Sequence, residues 1–320
     1  MNEFRHVPVM ADEVLRFLAP HTGGIYLDGT LGGAGHARLV LEATAPDGVL
    51  VGMDHDAAAL AAAKKSLADF GDRAILRQGN FSDMNALLDS LEIDQLDGIL
   101  LDLGVSSHQL DSPERGFSFR EEGPLDMRMN PSAGISAATV IAEAEADELR
   151  NIFREYGEER WASKIARAIV ADREKTPFVT TLQLAELVCR VVPGGRVPQR
   201  IHPATRIFQA LRIYVNSELE SLRAGLDFAW RRLKTGGRLV VISFHSLEDR
   251  MVKQTFRDLA SGCNCPPRLA VCACGHQPVV RVLTRKAVRA TENEINLNPR
   301  SRSAVLRAME KLPVEDNHNV

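Results

Sequence analysis

The chain has 320 residues with 39 basic and 42 acidic side chains, 45% hydrophobic residues and a mean hydropathy of -0.13. This composition is that of a folded globular protein, so it excludes a disordered, fibrous or membrane-spanning chain, and the length predicts about two domains. The amino-terminal residues lack a secretory or transit signal, and we therefore expect a cytoplasmic protein with no membrane partner. In that compartment the five cysteines are expected to be thiols or metal ligands.

Charge is unevenly distributed along the chain. Residues 1–102 carry 16 acidic and 7 basic side chains, whereas residues 160–216 carry 10 basic and 3 acidic ones. A second basic stretch, residues 281–311, carries 8 basic and 3 acidic side chains. Such stretches can face a polyanion such as a nucleic acid, or they can be solvated helix faces. The count alone leaves both interpretations open.

The first hundred residues alternate short apolar runs with helical patterns. This alternation predicts a doubly wound α/β fold around a parallel sheet. The predicted strands are residues 25–28, 49–53, 74–78 and 98–103. A helix is predicted over residues 57–70, with Asp56 as its amino-terminal cap and Gly71 just past its end.

After residue 103 the pattern becomes helical. Helices are predicted within residues 136–156, 158–174 and 180–191, one long helix over about 203–233, and further strands at 238–244, 279–283 and 303–306. We therefore predict an α/β domain made of residues 1–105 and 217–311, an inserted helical domain over 106–216 and a frayed tail over 312–320. Trp161 and Trp230 fall in helical patterns, so we expect them to pack in cores rather than stack on bases.

A glycine-rich turn follows the first predicted strand, in the segment DGTLGGAGH at residues 28–36. Glycines let the backbone adopt positive φ and approach a ligand, and the following helix offers its first N–H groups. A dinucleotide fingerprint requires a third glycine where Arg38 stands, so the turn favours a nucleoside over a pyrophosphate. A nicotinamide-dependent oxidoreductase and a purely structural turn are the alternatives at this point.

Three further residues stand at predicted strand ends. Asp54 ends the second strand, where a carboxylate can accept the hydroxyls of a ribose. Phe81 follows the third strand and is either an adenine contact or a core residue. Asp102 lies in an apolar fourth strand, where a carboxylate seldom serves packing. Because the carboxyl ends of parallel strands meet at one edge of the sheet, we expect a ligand crevice there.

Eight segments spread over the chain carry a family resemblance. They are HVPV at 6–9, DGTLGGAGH at 28–36, LDLGVSSHQLD at 101–111, GFSF at 116–119, DMRM at 126–129, YGEE at 156–159, SFHSLEDR at 243–250 and NPRSRSAVLR at 298–307. Together they resemble the MraW (RsmH) family of bacterial methyltransferases. The resemblance implies a class I, Rossmann-like methyltransferase fold with an inserted helical domain. It also implies transfer of a methyl group from S-adenosylmethionine to the exocyclic N4 of a cytosine in the decoding centre of 16S rRNA, in the small ribosomal subunit.

The resemblance also implies the site residues, position by position. The implied S-adenosylmethionine contacts are Gly33, Ala34, Gly35, His36, Asp54, Phe81, Asp102 and Gln109. Family members often have glycine where this chain has Ala34. Asp102 is predicted to be the catalytic acceptor of a hydrogen from N4. The predicted substrate contacts are Ser106, His108, Arg128 and His245.

Other features of the sequence leave alternatives open. Ser246 and Asp249 are expected to form a helix capping box. The four cysteines at 263, 265, 272 and 274 could form a zinc site, but their C-x-C spacing differs from the usual C-x₂-C, and we predict no metal. Arg196 and Arg200 are expected to contact RNA phosphates or else to solvate a turn. A noncatalytic RNA-binding protein is a rival function, and a homodimer is left open.

Overall fold

The structure is a computed structural model that describes residues 8–194, 201–262 and 277–313. The chain divides into two compact units. Unit 1 consists of Met1–Gly104 and Ser221–Val320, and unit 2 is Val105–Glu220. The domain boundaries expected from the sequence were 105/106 and 216/217.

Regular elements follow one another in a largely alternating order. The strands are β1 (Ile25–Asp28), β2 (Val49–Asp54), β3 (Ala74–Gln78), β4 (Leu96–Asp102), β5 (Leu233–Ser243), β6 (Val280–Val282), β7 (Val288–Arg289) and β8 (Val305–Lys311). The helices are α1 (Ala11–Leu18), α2 (Gly35–Ala43), α3 (Ala57–Ser66), α4 (Met84–Ser90), α5 (Ser107–Asp111), α6 (Ala137–Glu143), α7 (Ala146–Glu155), α8 (Ala162–Arg173), α9 (Thr181–Val191), α10 (Thr205–Asn216), α11 (Glu218–Arg232), α12 (Ser246–Leu259) and α13 (Glu292–Leu297).

Unit 1 is built on one eight-stranded sheet in the order β3-β2-β1-β4-β5-β8-β6, with β7 also paired to β8. Strands β1 to β5 run parallel to one another, and β8 runs antiparallel to β5. The predicted α/β fold with a mostly parallel sheet is therefore confirmed. The strand order reverses between β1 and β4, where chains of this architecture open a ligand crevice at the carboxyl edge.

Both faces of this sheet are buried, as the continuous apolar strands require. In β4, Leu100 packs in a cluster with α1, α2 and α3, whereas its neighbour Leu101 packs in a second cluster with α4, α11 and α12. Val240 and Val241 of β5 alternate between the clusters in the same way. This alternation follows from the two-residue period of a strand. Apolar side chains therefore occupy both faces of the sheet, and the aspartates of β1, β2 and β4 stand at its carboxyl edge.

Unit 2 has its own core, formed by residues of α6 to α10 and the segment before them. Phe153, Ile165 and Leu184 are fully buried in it. The helical character expected for this part of the chain is confirmed, because the apolar residues recur at helical spacing and face one common core.

The prediction of one long helix over 203–233 is wrong. Helix α10 ends at Asn216, and Ser217 has φ 47°, a left-handed conformation that interrupts the helix. The Asn216 side chain stabilises this break, because its Nδ2 donates to the Met127 carbonyl at 2.8 Å and its Oδ1 accepts from the Met129 N–H at 2.7 Å. Local periodicity does not reveal such a long-range bond.

Among the helices of the described part of the chain, none is both long enough and apolar enough to cross a membrane.

Candidate functional site

The glycine-rich turn connects β1 to α2. Ala34 precedes the first turn of α2 with φ 61° and ψ 21°, and no side chain caps this helix end. A left-handed alanine costs about 1–2 kcal/mol, so the turn holds this geometry against a local preference. Gly33 is exposed beside it, and α2 carries no acidic residue in its first turn. The helix therefore presents its amino end, with its partial positive charge, to the carboxyl edge of the sheet.

Three carboxylates end three neighbouring strands at this edge. Asp28, Asp54 and Asp102 are the last residues of β1, β2 and β4. Asp54 Oδ2 accepts from the Gly32 N–H at 2.7 Å, and its Oδ1 accepts from the Asp56 N–H at 2.8 Å. A carboxylate has about four acceptor positions, so Asp54 fixes the turn and still has positions for ligand hydroxyls.

Thr30 joins two of these strand ends, and the sequence reading did not identify it. Its Oγ1 accepts from the Asp102 N–H at 2.6 Å, and its own N–H donates to Asp28 Oδ1 at 3.0 Å. One short side chain thus fixes the end of β4 against the turn after β1. The signal available in the sequence was a hydroxyl residue two positions after an aspartate, a pattern also common in ordinary turns.

Thr30→Val is expected to lower the free energy of unfolding by about 1–3 kcal/mol, because the isosteric valine leaves the Asp102 N–H without its acceptor. Urea denaturation measures this change. Thr30→Ser keeps the hydroxyl and is the matched control, for which we expect a much smaller loss. Equal losses in the two variants would contradict the bridging role.

The carboxylates at the edge have raised pKa values. Burial, helped by the nearby charge of Asp54 and opposed by hydrogen bonds from Thr30, raises the pKa of Asp28 to about 7. Burial also raises the pKa of Asp54, against the two backbone N–H bonds that lower it. Burial raises the pKa of Asp102 well above its usual value, with added contributions from the charges of Asp28 and Glu248. Clustered, perturbed carboxylates at a crevice are typical of functional sites.

Asp102 has an acceptor atom that the fold does not use. None of the residues that the structure describes donates a hydrogen bond to its Oδ1, which is buried. Its Oδ2 lies 3.6 Å from Nε2 of His36 on α2, too long for a direct hydrogen bond. His36 itself is buried. An unused buried acceptor beside a histidine is a candidate ligand contact.

His245 begins α12, and the predicted capping box is displaced by one residue. The cap is His245, whose Nδ1 accepts from the Glu248 N–H at 3.4 Å, and not Ser246. The buried Glu248 completes the box through Oε2, which accepts from the His245 N–H at 3.2 Å. The expected partner of Ser246, Asp249, pairs with Arg307 instead. The displacement arises because histidine can accept from a helix N–H as serine does.

His245 also contacts the buried Glu248 through its second ring nitrogen. Its Nε2 lies 3.1 Å from Glu248 Oε1, and the charge of Glu248 contributes to the raised pKa of Asp102. The predicted substrate contact at His245 stays a prediction.

Phe81 packs on the face of the sheet that α4, α11 and α12 cover. It belongs to the cluster of α4, α11 and α12, and a Cβ on Gly225 would lie 2.6 Å from its ring. Phe81 is half-buried, and Asn80 just before it accepts the Ser82 N–H and donates to Ser221 Oγ. The core role weighed in the sequence is therefore present, and the adenine contact stays a prediction.

Four predicted contact residues belong to unit 2. Ser106 and Gln109 form a capping box on α5, in which Ser106 Oγ accepts the Gln109 N–H and Gln109 Oε1 accepts the Ser106 N–H. His108 is exposed. Arg128 makes a bidentate ion pair with Asp126, which holds the pKa of that carboxyl below its usual value. The predicted contacts of these four residues with cofactor or substrate stay predictions.

Several predictions concern residues outside the described ranges. The four cysteines considered for zinc, at 263, 265, 272 and 274, lie there, as do Arg196 and Arg200 and most of the expected tail.

Comparison with known proteins assigns the chain to a family. The sequence profile of the MraW methylase family matches residues 3–312. A protein of Syntrophotalea carbinolica named Ribosomal RNA small subunit methyltransferase H is 60% identical over 309 residues, which cover 97% of this chain and 98% of that protein. A protein of Pelobacter propionicus with the same name is 58% identical, covering 98% of this chain and all of that protein.

A solved structure described as a putative rRNA-methylase from Clostridium thermocellum matches with a TM-score of 0.45 and 13% identity, over 94% of this chain and 95% of that one. Family membership rests on the sequence matches alone, which run over nearly the full length of both aligned proteins. The chain belongs to the MraW methylase family.

Proposed function

We propose that this protein transfers a methyl group from S-adenosylmethionine to the exocyclic N4 of a cytosine in 16S rRNA of the small ribosomal subunit. The observation that carries the proposal is the edge where Asp28, Asp54 and Asp102 meet the glycine-rich turn. This edge belongs to a protein whose relatives at 60% and 58% identity are named ribosomal RNA small subunit methyltransferases.

The residues at this edge fit the proposed cofactor. S-adenosylmethionine carries positive charge and a ribose, and three carboxylates with raised pKa values gain most from a cationic ligand. Asp54 has acceptor positions left after its bonds to the N–H groups of Gly32 and Asp56, and these suit ribose hydroxyls. We assign the cofactor site to Gly33, Ala34, Gly35, His36, Asp54 and Asp102 of unit 1. Phe81 and, in unit 2, Gln109 are the further proposed contacts.

Asp102 is the proposed catalytic residue. When bound, S-adenosylmethionine supplies an activated methyl group, and the remaining difficulty is that a ring-conjugated amine is a weak nucleophile. The partly exposed Asp102 carboxylate can accept a hydrogen bond from N4, which enriches the nitrogen in electron density, and can then take up the proton that N4 loses on methylation. A carboxylate whose pKa is raised well above its usual value is a stronger proton acceptor than an ordinary carboxylate.

Unit 2 is the proposed RNA-recognition domain. Its contacts would come from Ser106, His108 and Arg128, joined by His245 of unit 1. A cytosine must be unpaired or flipped to expose N4, at a cost of a few kcal/mol that RNA contacts have to offset. We place the reaction in the cytoplasm, where the small subunit is assembled, and a homodimer is compatible with it.

Labelled methyl transfer tests this function. The purified protein is incubated with S-adenosylmethionine carrying a labelled methyl group and with isolated small subunits or isolated large subunits as methyl acceptors. A separate sample contains the protein with nicotinamide cofactors alone. We expect label in RNA of the small subunit only. Absence of label, together with a thermal shift by NADH and none by S-adenosylhomocysteine, would favour the oxidoreductase alternative instead.

Asp54→Ala is expected to weaken S-adenosylhomocysteine binding at least about tenfold, because each charge-assisted bond to a hydroxyl is worth roughly 1.5–3 kcal/mol. Calorimetry measures the affinity. The structure adds a loss of stability to this variant, since the Gly32 and Asp56 N–H groups also lose their acceptor.

Asp56→Ala is the control, because the Asp56 side chain accepts from the Ala58 N–H and caps α3. It should cost stability without changing the affinity. Unchanged affinity in Asp54→Ala would contradict the ribose assignment.

A further inference from the structure

Trp161 exposes a large aromatic surface in unit 2. Its side chain is 43% exposed, whereas Trp230, the other tryptophan of the chain, is half-buried and packs in the cluster of α4, α11 and α12. The expectation that both tryptophans pack in cores is therefore wrong for Trp161. The periodicity failed there because residue 161 precedes the first turn of α8, where the helical face is not yet defined.

The exposed ring sits on a fixed backbone. The Trp161 N–H donates to Oε1 of the buried Glu159 at 2.7 Å. Its carbonyl accepts from the N–H groups of Lys164 at 2.9 Å and Ile165 at 3.0 Å. The main chain on both sides of the residue is thus bonded within unit 2. A rigid, exposed aromatic side chain is a low-entropy contact surface.

Basic residues precede and follow Trp161 in the sequence. Every charged residue between positions 160 and 171 is basic, namely Arg160, Lys164 and Arg167, and all three are exposed. Lys164 and Arg167 are three residues apart in α8 and lie on one helix face, about 4.5 Å apart along the axis, and Arg160 lies just before the helix. In the described ranges none of the three makes an ion pair. By contrast, Asp172 at the end of α8 is paired with Arg190.

Arg206 of α10 contacts the segment that leads to Trp161. It is exposed, and its guanidinium donates to the Glu158 carbonyl at 3.3 Å, just before the tryptophan. Glu158 is the exposed acid at this edge of the surface. An exposed aromatic ring on a segment with exposed cations complements a polyanion whose bases can stack.

We propose that Trp161, Arg160, Lys164, Arg167 and Arg206 form a contact site for an unpaired RNA segment, in which a base stacks on Trp161 and the cations meet phosphates. Stacking on an aromatic side chain and neutralisation of phosphates are the two contributions by which proteins bind single-stranded nucleic acid. A protein partner that binds through an apolar surface would need further exposed apolar side chains near Trp161. The neighbouring Arg160, Lys164 and Arg167 are charged and do not provide them. The identification of the RNA as ribosomal rests on the proposed function, whereas the stacking surface does not.

Fluorescence tests the stacking directly. Trp230→Phe leaves Trp161 as the single tryptophan, and this variant is titrated with single-stranded oligocytidine and with an RNA duplex of equal length. We expect strong quenching by the single strand and weak quenching by the duplex. Replacing Arg160, Lys164 and Arg167 together by glutamine should lower the salt slope of single-strand binding by about 2. No quenching by either RNA would overturn the proposal.

Methylation kinetics provide the second measurement. Trp161→Ala should raise the KM for small subunits by about five- to hundredfold with kcat and S-adenosylhomocysteine affinity unchanged, and Trp161→Phe should restore part of the loss. Ile135→Ala removes another exposed apolar side chain of unit 2 and is the matched control. An unchanged KM in Trp161→Ala would overturn the proposal while leaving the proposed function intact.

The two measurements separate the two proposals. If the wild type does not methylate small subunits but Trp161 is quenched, the proposed function fails and the stacking site stands. A raised KM without quenching by any RNA would assign the surface to a protein partner and contradict the RNA contact.

Discussion

Asp28→Asn is expected to stabilise the protein at pH 8 by up to about 4 kcal/mol and to have little effect near pH 4. The carboxyl is 2% exposed and its pKa is raised to about 7, whereas in the unfolded chain it titrates near 4. Between those values the folded state holds a proton that the unfolded state has released. The stability of the wild type therefore falls as the pH rises from about 4 to about 7, and the neutral amide removes that loss.

Urea denaturation of the two proteins at several pH values measures the difference. Asp83→Asn, which changes an exposed carboxylate of the same unit, should give a difference near zero at every pH. A difference for Asp28→Asn that stays constant from pH 4 to pH 8 would contradict the burial of this charge. We also expect the stabilised variant to bind S-adenosylhomocysteine more weakly, because a charge kept at a cost in stability marks a ligand site.

Asp102→Asn is expected to lower kcat for methylation of small subunits by at least about 100-fold, the usual scale for removing a general base. The amide preserves the shape of the side chain, so the S-adenosylhomocysteine affinity should change much less than kcat. Because the pKa of Asp102 is raised well above its usual value, the wild-type rate should increase with pH as the carboxyl ionises. The variant should lose that dependence.

Single-turnover rates across pH separate this role from a structural one. A variant with kcat near that of the wild type would assign the hydrogen-accepting role to another group. Equal losses of affinity and rate would reduce Asp102 to a binding residue.

The sequence predicted Asp54 and Asp102 at the carboxyl edge of the sheet because simple rules govern their positions, but it did not identify Asp28 as a site residue. Asp54 and Asp102 follow apolar runs, and parallel strands place their carboxyl ends together. Ala34 stands where members of the family often have glycine, and it has the left-handed conformation that suits a glycine. These features depend on local pattern and on one topological rule, so no knowledge of long-range contacts was needed.

The missed features depend on contacts between distant residues. Thr30 accepts from an N–H group 72 positions away, and Asn216 bonds to the backbone 87 and 89 positions away. His245 and Ser246 are both able to cap α12, and only the structure shows which one does. The exposure of Trp161 is set by the start of a helix, a boundary that periodicity places within a few residues at best.

The most direct test of the central claim is nucleoside analysis of 16S rRNA. Small subunits are treated with the protein and S-adenosylmethionine, and the RNA is digested to nucleosides and separated by mass spectrometry. We predict that N4-methylcytidine appears in the wild-type reaction and is strongly reduced with Asp102→Asn. A methyl group on any other nucleoside, or on N4 to the same extent with Asp102→Asn, would contradict it.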